Sequence, residues 1–542
     1  MELGAYWRSL RYQPPRQLLS RLRYESAWKL YPRFPALVRA WCEPDAAACR
    51  PRPNFRWAGP PDHTQRPAPG LTLLARFQEN YFDWPAAPYE IEAWIEAHPP
   101  GSWPAWHPYP TSLRIVNWIR ALGSQAPARA AASLALQAAF LERNLEFHLG
   151  GNHLLENARA LLAAGLYFQG LPADQWKQKG LELLRRELAR QVLPDGGHYE
   201  RAPYYHRRMT RLAEDAVELL ESSGETVPPE LRETAGKMRR FEQALRHQDG
   251  GLPWFHDSPG EQVGTGIPAC PPSGLPRSFV DSGYYILEGP HGRLIADYGA
   301  PGAHPNPAHQ HAGIFSFEVS IGECRMVVDA GTAAYEAGPL RDRSRATPAH
   351  STVSVDGQDQ FETWGAFRVG RRAWVGPVEE RRDAACEAIS AAHNGYARLG
   401  VEHRRTIVSL RGLGWLVVDD ISGPGRLESF LHLGPRVAPV AEGRRIRLSP
   451  PDATVLPFGL ARLPEILPDS CSPSPGRSEP SMTLRLEPPG GVARRFGYFL
   501  GVTEVRMDWN GSDTFVLHVP SGRASTVRLQ KDDLRGLEVG YN

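Results

Sequence analysis

The chain has 542 residues, 42% of them apolar, with 62 Lys and Arg against 60 Asp and Glu and a formal net charge of +2 at neutral pH. That length predicts two domains of unequal type, and the scattered, balanced charge excludes the strongly basic stripe of a nucleic-acid binder. No apolar run is long enough to cross a bilayer, and the charged N-terminus lacks a signal-peptide core. The expectation is therefore a cytoplasmic protein, or a periplasmic one if the gene start hides an export signal. Nearly all the basic side chains are Arg, which suits bidentate recognition of carboxylates and sulfates, although genome base composition produces the same bias. The six cysteines show no metal-type pairing; Cys42 and Cys49 are close enough in sequence to bridge.

Residues 1–65 read as an N-terminal extension rich in Trp, Arg and Pro, with one helix around Pro15–Tyr31. From about Leu73 to His247 helix signals dominate: Tyr89–Ala97, Ser112–Leu122, Ala128–His148, Leu154–Gln169, Gln175–Gln191, Tyr205–Ser223 and Glu230–Arg246. Gly and Pro punctuate most of the gaps. Consecutive helical hairpins without intervening strands predict stacked pairs or a toroid of helices over residues 66–275. Asp249–Pro276 is Gly- and Pro-rich, lacks periodicity, and reads as the linker. The texture then switches to short runs rich in Val, Ile, Phe and Tyr: Tyr284–Glu288, Gly292–Tyr298, Gly313–Ile321, Cys324–Asp329, Ser351–Val355, Arg404–Leu410, Leu413–Val418 and Glu428–Leu433. This is the pattern of an antiparallel β-sandwich over residues 276–542, with Pro464–Ser481 expected as an exposed loop. The fold class is thus α+β and multidomain, an N-terminal (α/α) toroid followed by a C-terminal antiparallel β-sandwich.

Three clusters could carry chemistry. In Gly150-Gly151-Asn152-His153-Leu154-Leu155-Glu156-Asn157, Asn152 reads as the N-cap of a helix. Leu154, Leu155, Ala158, Leu161, Leu162 and Leu166 then share one face, and His153, Glu156 and Asn157 the other. An isolated stripe of this kind is most often a solvated polar face. The second cluster, Asp195-Gly196-Gly197-His198-Tyr199-Glu200-Arg201-Ala202-Pro203-Tyr204-Tyr205-His206, is a turn feeding a helix, rich in phenols. The third begins at His309-Gln310-His311, where residues two apart face one side of an extended chain, and continues through Asp329 and His350. His311, Asp329 and His350 make an N/O set suited to zinc with a position left open.

In this order the motifs GNHLLENARALLAAGLYF, DGGHYERAPYYH, HQHAGIFSFEVSIGECRMVVDAGTAAYE and RSRATPAHSTVSVDGQDQ resemble the heparinase II/III-like family of polysaccharide lyases. The resemblance runs from the helical half to about Pro435. It implies β-elimination of a uronic-acid polysaccharide in a cleft between the two domains. That reaction needs the substrate carboxylate neutralised, because negative charge develops there, a base for the C5 proton and an acid for the departing O4.

By resemblance, Asn152 and His153 neutralise the carboxylate, and Glu156 orients His153 or touches sugar. Tyr205 is the proton donor and a candidate base, with Tyr204 its rival by one residue. His309 is the other base candidate. A neutral imidazole accepts a proton near pH 7, whereas a tyrosine needs nearby positive charge, for which Arg201 is the expected source. His311, Asp329 and His350 match a structural zinc site found in parts of the family; no organic cofactor is implied. The usual family pattern has Asp where this chain has Gly313. Arg345 and His403 take substrate-side roles. The implied partner is an acidic polysaccharide, without nucleic acid or membrane span, and a homodimer is left open. Two other readings stand beside this one: an (α/α) glycoside hydrolase using Glu156 and Glu200, and a non-catalytic protein that binds acidic glycans or assembles exopolysaccharide on the same scaffold.

Overall fold

The computed structural model describes residues 2–57, 72–260, 274–289, 292–502, 504–519, 523–530 and 534–541. The 65/66 boundary, Cys270 and the middle of the expected linker lie outside the described residues. The helices are α1 (Glu2–Leu10), α2 (Pro15–Leu30), α3 (Pro35–Ala47), α4 (Leu73–Gln78), α5 (Pro88–Ala97), α6 (Pro108–Leu122), α7 (Ala128–Arg143), α8 (Gly151–Tyr167), α9 (Leu171–Gln191), α10 (Pro203–Ser222), α11 (Pro229–Ala244) and α12 (Pro339–Arg345). Two compact units emerge: Tyr12–His198 with Arg207–Arg239, and Met1–Arg11 with Tyr199–His206 and Arg240–Asn542.

The first unit is helical. Helices α2, α3, α5, α6 and α9 carry proline in their first turn, where the missing N–H costs nothing and φ is preset. The proline richness that marks the gaps in the sequence therefore also starts the helices. At the centre lies α8, of which every residue except His153 is buried. It packs against α6 and α9. A β-carbon at Gly180 would stand 2.5 Å from Leu162 N and 2.8 Å from Ala158 O, and one at Gly165 would stand 2.3 Å from Lys177 N. Glycine at both positions is what lets α8 and α9 approach so closely.

Three expectations change here. Asn152 does not cap α8: Gly150 does, and Gly150 and Gly151 have φ of 65° and 53°, values that favour glycine. The polar stripe is not solvated either, because Asn152, Glu156 and Asn157 are buried with the apolar residues. Helix α7 stops at Arg143 rather than His148, where the Asn144 amide turns back to donate to Phe140 O at 2.8 Å. Cys42 and Cys49 are both free thiols, which burial pushes up to about 12 and about 11.

The second unit is built from antiparallel sheets. One runs Ser278–Phe279, Tyr284–Glu288, Gly292–Asp297, Phe317–Ile321, Cys324–Val327 in spatial order. The largest has eight strands, with Glu402–Leu410, Gly414–Ser422 and Ala493–Gly501 side by side at its middle. Strand Gly414–Ser422 shows why the layers stack. Trp415 and Val417 join Leu294, Phe317 and Ile407 in one core, while Leu416 and Val418 join Phe515, Leu517 and Val527 in another. Alternation with period two thus buries both faces, and a C-terminal four-stranded sheet adds a third layer to the expected sandwich.

The segment expected as an exposed Pro/Ser loop is instead a hairpin, Glu465–Ser474 with Arg477–Leu486. Its prolines are tolerated because Glu465–Ser474 is an edge strand. Pro480 lies outside the Thr483–Leu486 stretch that pairs with Leu427–His432.

Candidate active site

In the β-rich unit the described end of the expected linker folds inward. Phe255, His256, Asp257 and Ser258 are all buried, and His256 takes a strained φ of 60° immediately before Asp257. The Asp257 carboxylate gathers three groups. His309 Nδ1 donates to Oδ2 at 2.9 Å, His311 Nε2 donates to Oδ1 at 2.9 Å, and the Arg341 guanidinium straddles both oxygens, with Nη2 2.8 Å from Oδ2. Burial pushes this carboxyl up, but Arg341, His309 and His311 outweigh it and hold the group well below the usual carboxylate range. An ionised Asp257 only accepts. His309 must therefore carry its proton on Nδ1, which leaves Nε2 as the basic nitrogen of the neutral ring.

Tyr205, at the start of α10, stacks on His309 with ring centres 3.8 Å apart and planes 24° apart. Its phenol shares a hydrogen bond with Tyr335, and Arg341 lies within electrostatic reach of it. Tyr204 instead meets Tyr205 edge-on at 5.5 Å, its backbone N–H donating to Ser258 Oγ at 3.1 Å.

Behind His309 lies a candidate metal centre. His311, Asp329 and His350 are buried, each with one ligand atom within 4.8 Å of the others'. His311 Nδ1 and His350 Nε2 have no hydrogen-bond partner, while His311 Nε2 is held by Asp257 and His350 Nδ1 lies 2.7 Å from Asp329. Two orphaned imidazole nitrogens beside a carboxylate fit a metal ion. The carboxylate behind His311 is the usual outer support of such a ligand. A β-carbon at Gly313 would stand 2.7 Å from His350 Cγ, so glycine here makes room for the His350 ring.

In the helical unit Asn152 and His153 begin α8. His153 donates Nδ1–H to the fully buried Glu146 at 3.0 Å and packs on Tyr109 with ring centres 4.3 Å apart.

The Heparinase II/III N-terminus model matches residues 128–265, and the Heparinase II/III-like, C-terminal model matches residues 271–490. The chain belongs to the heparinase II/III-like family. Relatives of this heparinase II/III-like chain include a heparin-sulfate lyase of Bacteroides stercoris, 22% identical over 313 residues (52% of this chain, 45% of the relative). One of Pedobacter heparinus is 22% identical over 305 residues (50% and 44%). The chain thus spans about half the length of the curated relatives it matches. Among solved structures, heparinase III superposes with a TM-score of 0.66 at 17% identity, covering 82% of this chain and 79% of that one. The heparan sulfate lyase HepC of Pedobacter heparinus gives 0.62 at 16%, covering 92% and 90%. These likenesses establish the fold.

Several residues expected on the substrate side do other work in this family member. Arg201 is buried and donates to Ser282 O, Ala300 O, Gln310 Oε1 and Asp297. Arg345 is 1% exposed and donates to the carbonyls of Gln310, Gly365, Ala366 and Arg368. His403 is buried between His393 at 3.0 Å and Asp419 at 2.8 Å. The described polar contacts of these three side chains are with other parts of the protein. Arg341 is a cation within electrostatic reach of Tyr205, whereas Arg201 is occupied by Asp297 and backbone carbonyls. Glu156 does not orient His153: it accepts from Arg159 at 2.5 Å and lies 3.7 Å from Arg208, while Glu146 holds the imidazole. Asp257, Arg341, Tyr335 and Glu146 were missed. Each sits in a turn or short helix without periodicity, and only its buried partners mark it.

Proposed function

We propose that this chain is a polysaccharide lyase that cleaves a uronic-acid polysaccharide, of the heparan type by the names of its relatives, through β-elimination. The observation that carries the reading is the Tyr205–His309 stack, with Asp257 fixing the imidazole proton on Nδ1. A phenol and a basic imidazole nitrogen side by side supply both halves of an elimination: one removes the C5 proton and the other protonates O4 as it leaves. His309 Nε2 is the base favoured by its tautomer. Tyr205 then donates its phenolic proton to the leaving oxygen, and Arg341 offsets the negative charge left on it.

Asn152 and His153 are assigned to the substrate carboxylate, where N–H donors stabilise the charge that builds as the C5 proton leaves. His311, Asp329 and His350, an N/N/O donor set suited to zinc, would hold it, and a bound ion would fix the segment that presents His309.

The test is to incubate the purified chain with heparan sulfate, heparin, chondroitin, hyaluronan and alginate and to follow ultraviolet absorbance from an unsaturated uronate. Growth of that signal on at least one polymer, and its loss in Tyr205→Phe, is the expected result. New reducing ends without the absorbance would overturn the proposal in favour of a hydrolase. Binding without cleavage would favour the glycan-binding alternative.

A further inference from the structure

Glu146 lies in the turn between α7 and α8, its side chain 0% exposed. A carboxyl group buried this far normally gives up its charge. Here it is clamped from α8: Oε1 accepts from His153 Nδ1 at 3.0 Å and Oε2 accepts from Asn157 Nδ2 at 3.0 Å. Its own backbone N–H donates to Asn157 Oδ1 at 2.9 Å. Because 153 and 157 are one helical turn apart, a single helix face delivers both donors. Burial pushes the Glu146 carboxyl up, yet His153, His107 and Asn157 outweigh it and hold it at about 2.

Three imidazoles surround this anion. His107 Nδ1 lies 3.8 Å away, in the stretch leading into α6; its Nε2 is hydrogen-bonded to Tyr24 of α2, which also stacks on His148 at 4.0 Å. Burial drives both His107 and His148 down to about 4, so both are neutral at neutral pH. Tyr24, pushed up by burial and by Glu146, stays a neutral phenol, and Tyr109 of α6 offers His153 only its ring. Arg21 and Glu25 act on His148. Among these neighbours His153 is the imidazole in direct hydrogen bond with Glu146, and it is one-third exposed. The anion's compensating proton therefore falls to His153.

We infer that Glu146 is a positioning residue that keeps His153 as an imidazolium with Nδ1–H turned inward, so that His153 meets an acidic sugar as a fixed cation rather than a neutral donor. What His153 meets rests on the lyase reading above; the Glu146–His153 linkage does not. A cation in contact with the substrate carboxylate stabilises the charge that builds there more than a neutral N–H does.

The experiment uses the full chain labelled with ¹³C,¹⁵N-histidine, the His153 signals being assigned by their loss in His153→Gln. In the wild type, His153 should show both ring nitrogens protonated at neutral pH, titrate above the ordinary histidine range, and keep its remaining proton on Nδ1 above the midpoint. In Glu146→Gln its midpoint should fall by about 1–2 pH units. Glu146→Asp, which keeps the charge, should restore part of the shift. A wild-type ring that is neutral at pH 7, a deprotonated ring that keeps its proton on Nε2, or an unchanged midpoint in Glu146→Gln would overturn the inference. If Glu146→Gln does not fold, the wild-type tautomer and midpoint decide alone. On a cleaved polymer, Glu146→Gln should lower kcat/KM about 10- to 100-fold at pH 7, with its alkaline limb moved down by the same 1–2 units. A wild type that cleaves nothing defeats the lyase reading while the magnetic-resonance result still stands or falls by itself.

Discussion

Replacing Asp257 by Asn tests the centre of the β-rich unit. The carboxylate is fully buried and serves Arg341, His309 and His311 together. An amide keeps the shape but leaves the Arg341 charge, itself 0% exposed, without a counter-ion. Breaking a buried pair from one side costs about 3–5 kcal/mol. The amide also presents an N–H₂ to an imidazole that must itself donate, so His309 loses its tautomer. In the serine-protease triad the equivalent change lowers kcat on the order of 10⁴-fold, and a loss approaching that size is expected here. Two assays separate the effects: urea unfolding for stability, and release of unsaturated uronate for rate. The double variant Asp257→Asn/Arg341→Met removes the stranded charge. It should recover part of the stability, because no uncompensated buried charge is left, but none of the activity. A single variant as stable and active as wild type would refute the reasoning, as would a double variant that regains rate.

Tyr205→Phe should fold normally and lose about 10²- to 10⁴-fold in kcat; full activity would remove Tyr205 as the acid. Gly313→Ala puts a β-carbon 2.7 Å from His350 Cγ, so the ring must move. Metal analysis should find less bound zinc than in the wild type, and equal occupancy would refute the fit. Gly180→Ala drives a β-carbon to 2.5 Å from the backbone of Leu162 and should cost about 1–3 kcal/mol or more by overpacking, read from the urea midpoint. His107 is held at about 4 against an ordinary 6.5. The folded state then binds fewer protons than the unfolded one as pH drops through that window, so stability is full above 6.5 and falls toward 4. His107→Gln should flatten that slope, and an identical pH profile would disprove the account.

Local chemistry wrote much of this protein into its sequence. Helix and strand periods differ, so the change of texture near residue 276 is visible without coordinates. The ordered motifs around Asn152, Tyr205, His309 and His350 are recognisable because each is a short run of unusual residues. Partnership was not legible. Arg201 and Arg341 look alike as residues, yet the fold gives Arg201 to Asp297 and backbone carbonyls and gives Arg341 to Asp257 beside Tyr205. Glu156 stands on the same turn as His153, yet Glu146, seven residues upstream and outside any helix, holds the imidazole. A buried charge is ruled by whatever lies within about 4 Å of it. Neighbours at that range, drawn from turns far apart in the chain, exist only once the helices and sheets have packed.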